Sequence, residues 1–295
     1  MTVDRAEAPV GAFRASQTSA VRYFDIGGAA LTLLTIAFAM IWAFPLYWAV
    51  ITTFKPEDEV VRPYIELWPD TFTAQAYFYI VENTKLATWY FNSIVTAAAI
   101  TVLVTIMGAA CGYAISQLKF PGRTLLWWMI LASFMVPIQA LIVNHFLIIA
   151  GVKLLNTYPG IILPQLIVPV VVIVYKQFFD SVPREYREAA VIDGANDIQL
   201  LFRVFLPMNW GVTTALAIIT FIGAWNHFLW PFLVTKTQDM MTITVGITEV
   251  QDAFGVYYAR LLAGAVLAGL PVALVYLIFQ RRVTQAITLS AGIKG

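Results

Sequence analysis

The chain has two histidines, His145 and His227. Each follows an asparagine, Asn144 and Asn226, and both pairs lie inside long apolar runs. Imidazole titrates near neutrality, so such groups can relay protons or attract an acid; equally, each ring can hydrogen-bond a neighbouring helix. Gln139, Trp225 and Trp230 stand in the same runs. A polar group in hydrocarbon is costly when unpaired, which places these residues on a bundle interior or along a watery cavity. The set gives no basis for a metal centre or a catalytic site: Cys111 is the only cysteine, and no nucleophile and base fall together. No G-x-x-x-x-G-K-[ST] run occurs either, so that kind of phosphate-cradling loop is absent.

A second group is contiguous: "REAAVIDGANDIQLLFRVFLP", Arg187 to Pro207. Upstream, Asp180 or Ser181 can cap free N–H groups, with Pro183 in the first turn of a helix. Gly194 ends that helix, because glycine enters the left-handed region without steric cost. Asn196 starts a second helix, and Gln199 three residues on completes a capping box. Ile198, Leu201, Phe202 and Phe205 give the second helix an apolar stripe before Pro207. The reading is two short helices joined at Gly194. Ala189 and Ala190 form a flat patch beside Glu188, Arg184 and Arg187, which another protein can approach closely. The alternative is an amphipathic helix lying on the membrane surface.

The elements that must position both groups are membrane spans. With 12% charged residues, 60% hydrophobic residues and a mean hydropathy of +0.77, the chain reads as a polytopic membrane protein. Its net charge of +1, without a basic stripe, gives no reason to expect nucleic acid. Six runs are long enough to cross a bilayer: Ile26 to Ile51, Phe91 to Ile115, Thr124 to Ala150, Thr157 to Tyr175, Met208 to Thr235, and Leu261 to Gln280. None contains Lys, Arg, Asp or Glu, and runs so uniformly apolar must be helices rather than barrel strands. Pro137, Pro164 and Pro169 predict kinks or breaks in the third and fourth spans. Gly108 with Gly112, and Gly264 with Ala268, are small-residue pairs expected at helix contacts.

Placing both termini in the cytoplasm puts twelve Lys and Arg inside and six outside, which favours that orientation. The first 25 residues lack the apolar core and cleavage site of a signal peptide, so the first apolar segment is expected to be retained. The chain then divides into a cytoplasmic tail (1–25), a six-helix membrane domain (26–282) with an outside loop (52–90) and a cytoplasmic loop (180–207), and a C-terminal tail (283–295).

Glu188-Ala189-Ala190, Gly194, Val204 and Leu206-Pro207 stand at spacings that resemble the "EAA" loop of ABC importer permeases, with Val204 where the family usually has Ile. The likeness runs over nearly the whole chain and is closest to the maltose-type, carbohydrate-uptake branch. "LWPDTFTAQAYFYI", "YFNSIVTAA", "YAISQLKFPGR", "LLNTYPGIILPQL" and "FIGAWNHFLWPFLV" all look like that branch. The ending "AGIKG" resembles the family's C-terminus, while the preceding "QRRVTQAITL" is less typical.

What the resemblance implies is an all-α type I importer permease with the MetI-like fold, a non-catalytic subunit in a bacterial inner membrane. Its expected partners are a second, paralogous permease, an ATPase homodimer, a periplasmic substrate-binding protein and membrane lipid. No cofactor is expected in this chain; ATP and Mg are expected in the ATPase subunits. The residues carried over to ATPase coupling are Arg184, Arg187, Glu188, Ala189, Ala190, Asp193, Gly194, Leu206 and Pro207. The implied substrate is a sugar, oligosaccharide or sugar derivative, and Gln139, Asn144, His145, Trp225, Asn226, His227 and Trp230 are its candidate pathway. Asn144, His145 and His227 depart from the branch's common pattern, and protonated imidazoles there point to an anionic derivative. The competing expectation is a secondary transporter with the histidines as proton relay, against which stands the lack of any carboxylate within the spans.

Overall fold

A computed structural model describes residues 26–64, 66–251 and 255–290, with side chains over 27–64, 66–251 and 255–280. The N-terminal tail expected over 1–25 and the ending at 291–295 lie outside the described residues. Among the described residues the chain is helical without strands. It divides into two compact units at Tyr47–Trp48, within the first helix, α1 (Ile26–Thr52).

In the first unit α1 is apolar on every side, with Leu31 and Trp42 exposed. Its hydroxyls are satisfied within the helix: Thr32 and Thr35 donate to the carbonyls of Gly28 and Leu31, four residues back. This is how a threonine is tolerated where no water can take its proton.

The second unit begins with a folded loop holding α2 (Glu57–Val60) and α3 (Gln75–Asn83). The longest buried helix follows, α4 (Leu86–Gln117). Gly108 and Gly112 let it approach the later helix closely: a Cβ on Gly108 would lie 2.5 Å from Val171 Cγ1, and one on Gly112 would lie 2.7 Å from Tyr175 Cβ. The small-residue pair is a packing device, as its spacing predicts.

The third run is sharply bent. α5 (Arg123–Phe134) stops before Pro137, and the chain resumes through a tight turn into α6 (Ile142–Gly151), with 96° between the two parts. Pro137 is extended at ψ 126°, lacks an N–H, and disfavours helix at the residue before it. The fourth run bends by 51° between the segment opened by α7 (Tyr158–Ile162) and α8 (Pro169–Asp180), with Pro169 at the start of the new helix. Both breaks fall where the prolines predict them.

The connecting loop forms α9 (Arg184–Ile192), α10 (Asp197–Leu200), a π turn over Leu201–Phe205 and α11 (Leu206–Met208). α12 (Trp210–Trp225) then leaves at 87° to the segment before it. The fifth run, Met208 to Thr235, is divided: α12 ends at Trp225 and a separate α13 (Leu229–Val234) follows. A continuous helix would drive the Pro231 ring into the carbonyl of His227, four residues earlier. α14 (Ile243–Gly246) and the long α15 (Tyr258–Ser290) complete the order.

Among the described residues three helices are long and apolar enough to cross a membrane, or up to six spans if each bent pair is one, by length and composition. α4 is central, packing on α8 and α12, while α12 also packs on α15. One core gathers Tyr113, Tyr175, Phe179 and Phe205; another gathers Trp89, Trp225 and Ile243. Between membrane helices such contacts stabilise through close packing and interhelical hydrogen bonds, since lipid is as apolar as the core.

Candidate functional site

The bends in the third, fourth and fifth runs open a cleft of about 190 Å³. Its polar groups are Gln139, His145, Gln165 and His227, set among Ile138, Ile142, Pro164, Leu229 and Trp230. Three of the four come from breaks, Gln139 from the turn after Pro137, Gln165 from the turn before Pro169, and His227 from the gap between α12 and α13, while His145 stands on α6. A helix interrupted in this way turns backbone and side chain toward a cavity, which is where irregular backbone is tolerated at membrane depth.

Neighbours fix the lining. The Trp230 indole N–H donates to the Gly160 carbonyl at 3.1 Å, and the His145 ring stands edge-on to the Trp230 ring at 6.2 Å and 85°. Gln165 donates its amide to the Ile161 carbonyl at 2.9 Å. The His227 Nδ1 is buried and has no hydrogen-bond partner, while the His227 carbonyl accepts from the Thr244 hydroxyl at 3.0 Å. Apolar walls with a few placed polar groups describe a small-molecule site.

Of the seven pathway candidates, the structure brings Gln139, His145, His227 and Trp230 to this cleft. Trp225 is in the core instead: it is 2% exposed, donates to the Ala268 carbonyl at 3.0 Å and packs beside Tyr90 and Phe221. Asn144 and Asn226 are exposed and do not line the cleft. Gln165 lines it without having been singled out by sequence, although an amide between two helix-breaking prolines was an available signal.

The second candidate site is the loop between α8 and α12. Gly194 has φ +81° and ends α9, as its type predicts. Asn196 and Gln199 form the capping box, with bonds of 2.9 and 3.0 Å. The cap expected from Asp180 or Ser181 is not made, because both side chains turn back: Asp180 accepts from the Ser116 hydroxyl and pairs with Lys176, and Ser181 donates to the Phe178 carbonyl. The predicted stripe also shifts. Leu200, Leu201 and Phe205 are buried, whereas Ile198 and Phe202 are 70% and 49% exposed. The π turn over Leu201–Phe205 adds a residue to the turn ahead of Pro207, relieving the proline's clash and rotating the buried face.

α9 has no fully buried residue. Arg184, Glu188, Ala189, Asp193, Gly194 and Pro207 are exposed, while Ala190 and Leu206 pack against the core. Arg187 turns toward α10, with Nη2 3.9 Å from Asp197 Oδ1. The surface of α9 left facing outward mixes charge with apolar groups: Ala189 stands beside Glu188 and Arg184, and Tyr186, Val191 and Ile192 are exposed on the same helix.

A family model described as binding-protein-dependent transport system inner membrane component matches residues 105–288, which include both sites. The arabinooligosaccharides transport system permease protein AraQ of Halalkalibacterium halodurans is 33% identical over 269 residues, covering 89% of this chain and 96% of that protein. The diacetylchitobiose uptake system permease protein NgcG of Streptomyces coelicolor is 32% identical over 279 residues, covering 93% and 91%. In fold, the chain is similar to one in the crystal structure of a bacterial ABC transporter involved in the import of the acidic polysaccharide alginate. The TM-score is 0.77 at 21% identity, covering 87% of this chain and 96% of that one.

Proposed function

The chain belongs to the family of binding-protein-dependent transport system inner membrane components, and from that premise we propose that it moves a sugar, oligosaccharide or sugar derivative inward as one permease subunit of an ATP-driven importer. Relatives over nearly its full length are named for arabinooligosaccharide transport and diacetylchitobiose uptake, which supports a carbohydrate. The observation that carries the coupling role is the loop at 180–207: a hinge at Gly194 with Glu188 and Ala189 left facing outward on a helix that buries none of its residues.

In this reading ATPase subunits dock on that surface, and those subunits rather than this chain, which has no G-x-x-x-x-G-K-[ST] run, bind ATP and Mg. A paralogous permease and a periplasmic binding protein complete the assembly in a bacterial inner membrane, and this subunit is non-catalytic. The twofold excess of Lys and Arg supports cytoplasmic termini. Movement of the loop would rock the spans around the cleft and expose it alternately to the two sides. Gln139, His145, Gln165 and His227 would hydrogen-bond the passing sugar, and Trp230 would offer it an apolar wall. No Asp or Glu lines the cleft to exchange a proton with the histidines, so the geometry gives a proton relay no support.

The test is reconstitution with and without the candidate ATPase subunits. Uptake should require ATP hydrolysis. Uptake by this chain alone, driven by a pH gradient, would refute the reading.

A further inference from the structure

Three elements meet at one carboxylate at the base of the connecting loop. The Tyr113 hydroxyl, on α4, donates to Asp197 Oδ1 at 2.9 Å. Asp197 is the first residue of α10, just past the Gly194 hinge. The same oxygen lies 3.9 Å from the Arg187 guanidinium on α9, whose Nε is buried without a hydrogen bond. The tyrosine is held firmly: its side chain is 3% exposed, and its ring stands edge-on to Phe205 at 5.2 Å and to Phe179 at 6.5 Å. Nearby, Ser116 donates to Asp180 at 2.6 Å and Gln117 donates to the Phe179 carbonyl at 3.1 Å, joining the ends of α4 and α8 into one block.

We propose that Tyr113 and Asp197 are the positioning contact through which the loop carries α4 with it when α9 is moved. α9 contributes only Ala190 to the core, and apolar packing of that kind is non-directional. A hydrogen bond to a charged acceptor fixes register instead. The glycine between α9 and α10 permits rotation, so covalent continuity alone would let α9 swing while α4 stayed behind. The carboxylate, shared by Arg187 before the hinge and Tyr113 on the span, closes that slack. α4 is the helix against which α8 and α12 pack, so moving it moves the walls from which the cleft hangs. The inference rests on the reading of this loop as an ATPase dock.

The experiment uses the full complex in nanodiscs in a Cys111→Ala background. Spin labels are placed at Glu185→Cys on α9 and Val102→Cys on α4, and distances are read in the nucleotide-free and vanadate-trapped states. With the native contact the two labels should move together and their separation should hold. Tyr113→Phe and Asp197→Ala should let it change by about 5 Å, the size of a one-turn slip, while ATPase co-purification and basal hydrolysis stay unchanged. Asp197→Asn, which keeps an acceptor oxygen for Tyr113 but loses the charge that faces Arg187, should let the separation change by less than Asp197→Ala does. A constant separation in Tyr113→Phe, or a changing one in the native complex, overturns the proposal. Loss of ATPase binding by Tyr113→Phe would reduce the contact to a fold-holding role and overturn it too. Failure of the native chain to co-purify with ATPase subunits would instead remove the docking reading beneath it.

Discussion

Two charge-rich loops join spans in this molecule, and they use their charges in opposite ways. In the first long loop Lys55 and Glu59 have side chains only 3% and 1% exposed and lie 3.6 Å apart. Lys55 also donates to the Glu66 carbonyl at 2.7 Å, Arg62 binds Asp70 at 2.8 Å and Glu66 at 3.1 Å, and the Asp70 N–H donates to Glu59 at 3.0 Å. Glu57 reaches across to the backbone N–H groups of Tyr258 and Ala259, at the start of α15. Glu59, Glu66 and Asp70 stand close enough to resemble a cation site, but Lys55 and Arg62 already supply the positive charge there. In the loop at 180–207, by contrast, Arg184 and Glu188 point outward. Charge that is paired internally builds structure; charge left facing out on a helix with little core contact is available to a partner.

The comparison can be broken most forcefully at Lys55. Removing one member of a buried ion pair strands the other, so Lys55→Ala should destabilise the protein by about 3–5 kcal/mol, read from the thermal unfolding of detergent-solubilised protein. An unchanged unfolding temperature would mean that the first loop's ion pairs hold no more structure together than the outward Arg184 and Glu188 do.

Acid should produce a smaller loss in the same loop. Burial pushes the Glu59 carboxyl upward, but the N–H groups of Asp70 and Thr71, together with Glu66 and Lys55, outweigh it and hold the group below its ordinary value. A depressed folded value means that this stability is present above the unfolded value of about 4.3 and is lost as the pH falls through the folded one. The unfolding temperature should therefore drop below that point, and Glu59→Gln should flatten the drop. The loss is smaller than for Lys55→Ala because Lys55 still donates to the Glu66 backbone carbonyl, which does not titrate.

In the second loop the effects on stability shrink and those on association grow. Gly194→Val forces a side chain into the left-handed region, at a cost of about 1–2 kcal/mol, and should also reduce ATPase co-purification by disturbing the hinge. Glu188→Lys should alter stability by no more than about 0.5 kcal/mol while lowering ATPase association or stimulation. Coupled transport at the unaltered rate in Glu188→Lys would contradict the docking role.

The parts of the molecule differ in how far sequence alone described them. Gly194 and the Asn196–Gln199 box were legible because their chemistry closes within four residues. The buried face of the same loop was not, since a π turn ahead of Pro207 exchanged Leu200 for Ile198 and Phe202. Of the residues marked by the cost of unpaired polar groups or by the way aromatic faces hold sugars, Gln139, His145, His227 and Trp230 line the cleft, whereas Asn144, Trp225 and Asn226 do not. Trp225 and Trp230 are only five residues apart and both donate an indole N–H to a carbonyl; the break between α12 and α13 separates a core residue from a cleft wall.

The apolar runs, the prolines that interrupt the third and fourth of them, and the Gly194 hinge with its capping box follow from sequence alone. These follow from the length of hydrocarbon to be crossed and from interactions within about one turn of chain. Only the tertiary structure decided which polar side chains share the cleft, that Lys55 and Glu59 are buried together, and that Tyr113 meets Asp197 across 84 residues. Those facts depend on bends of 96°, 51° and 87° and on how the bent helices pack around α4, distances over which no local pattern fixes the direction of a side chain.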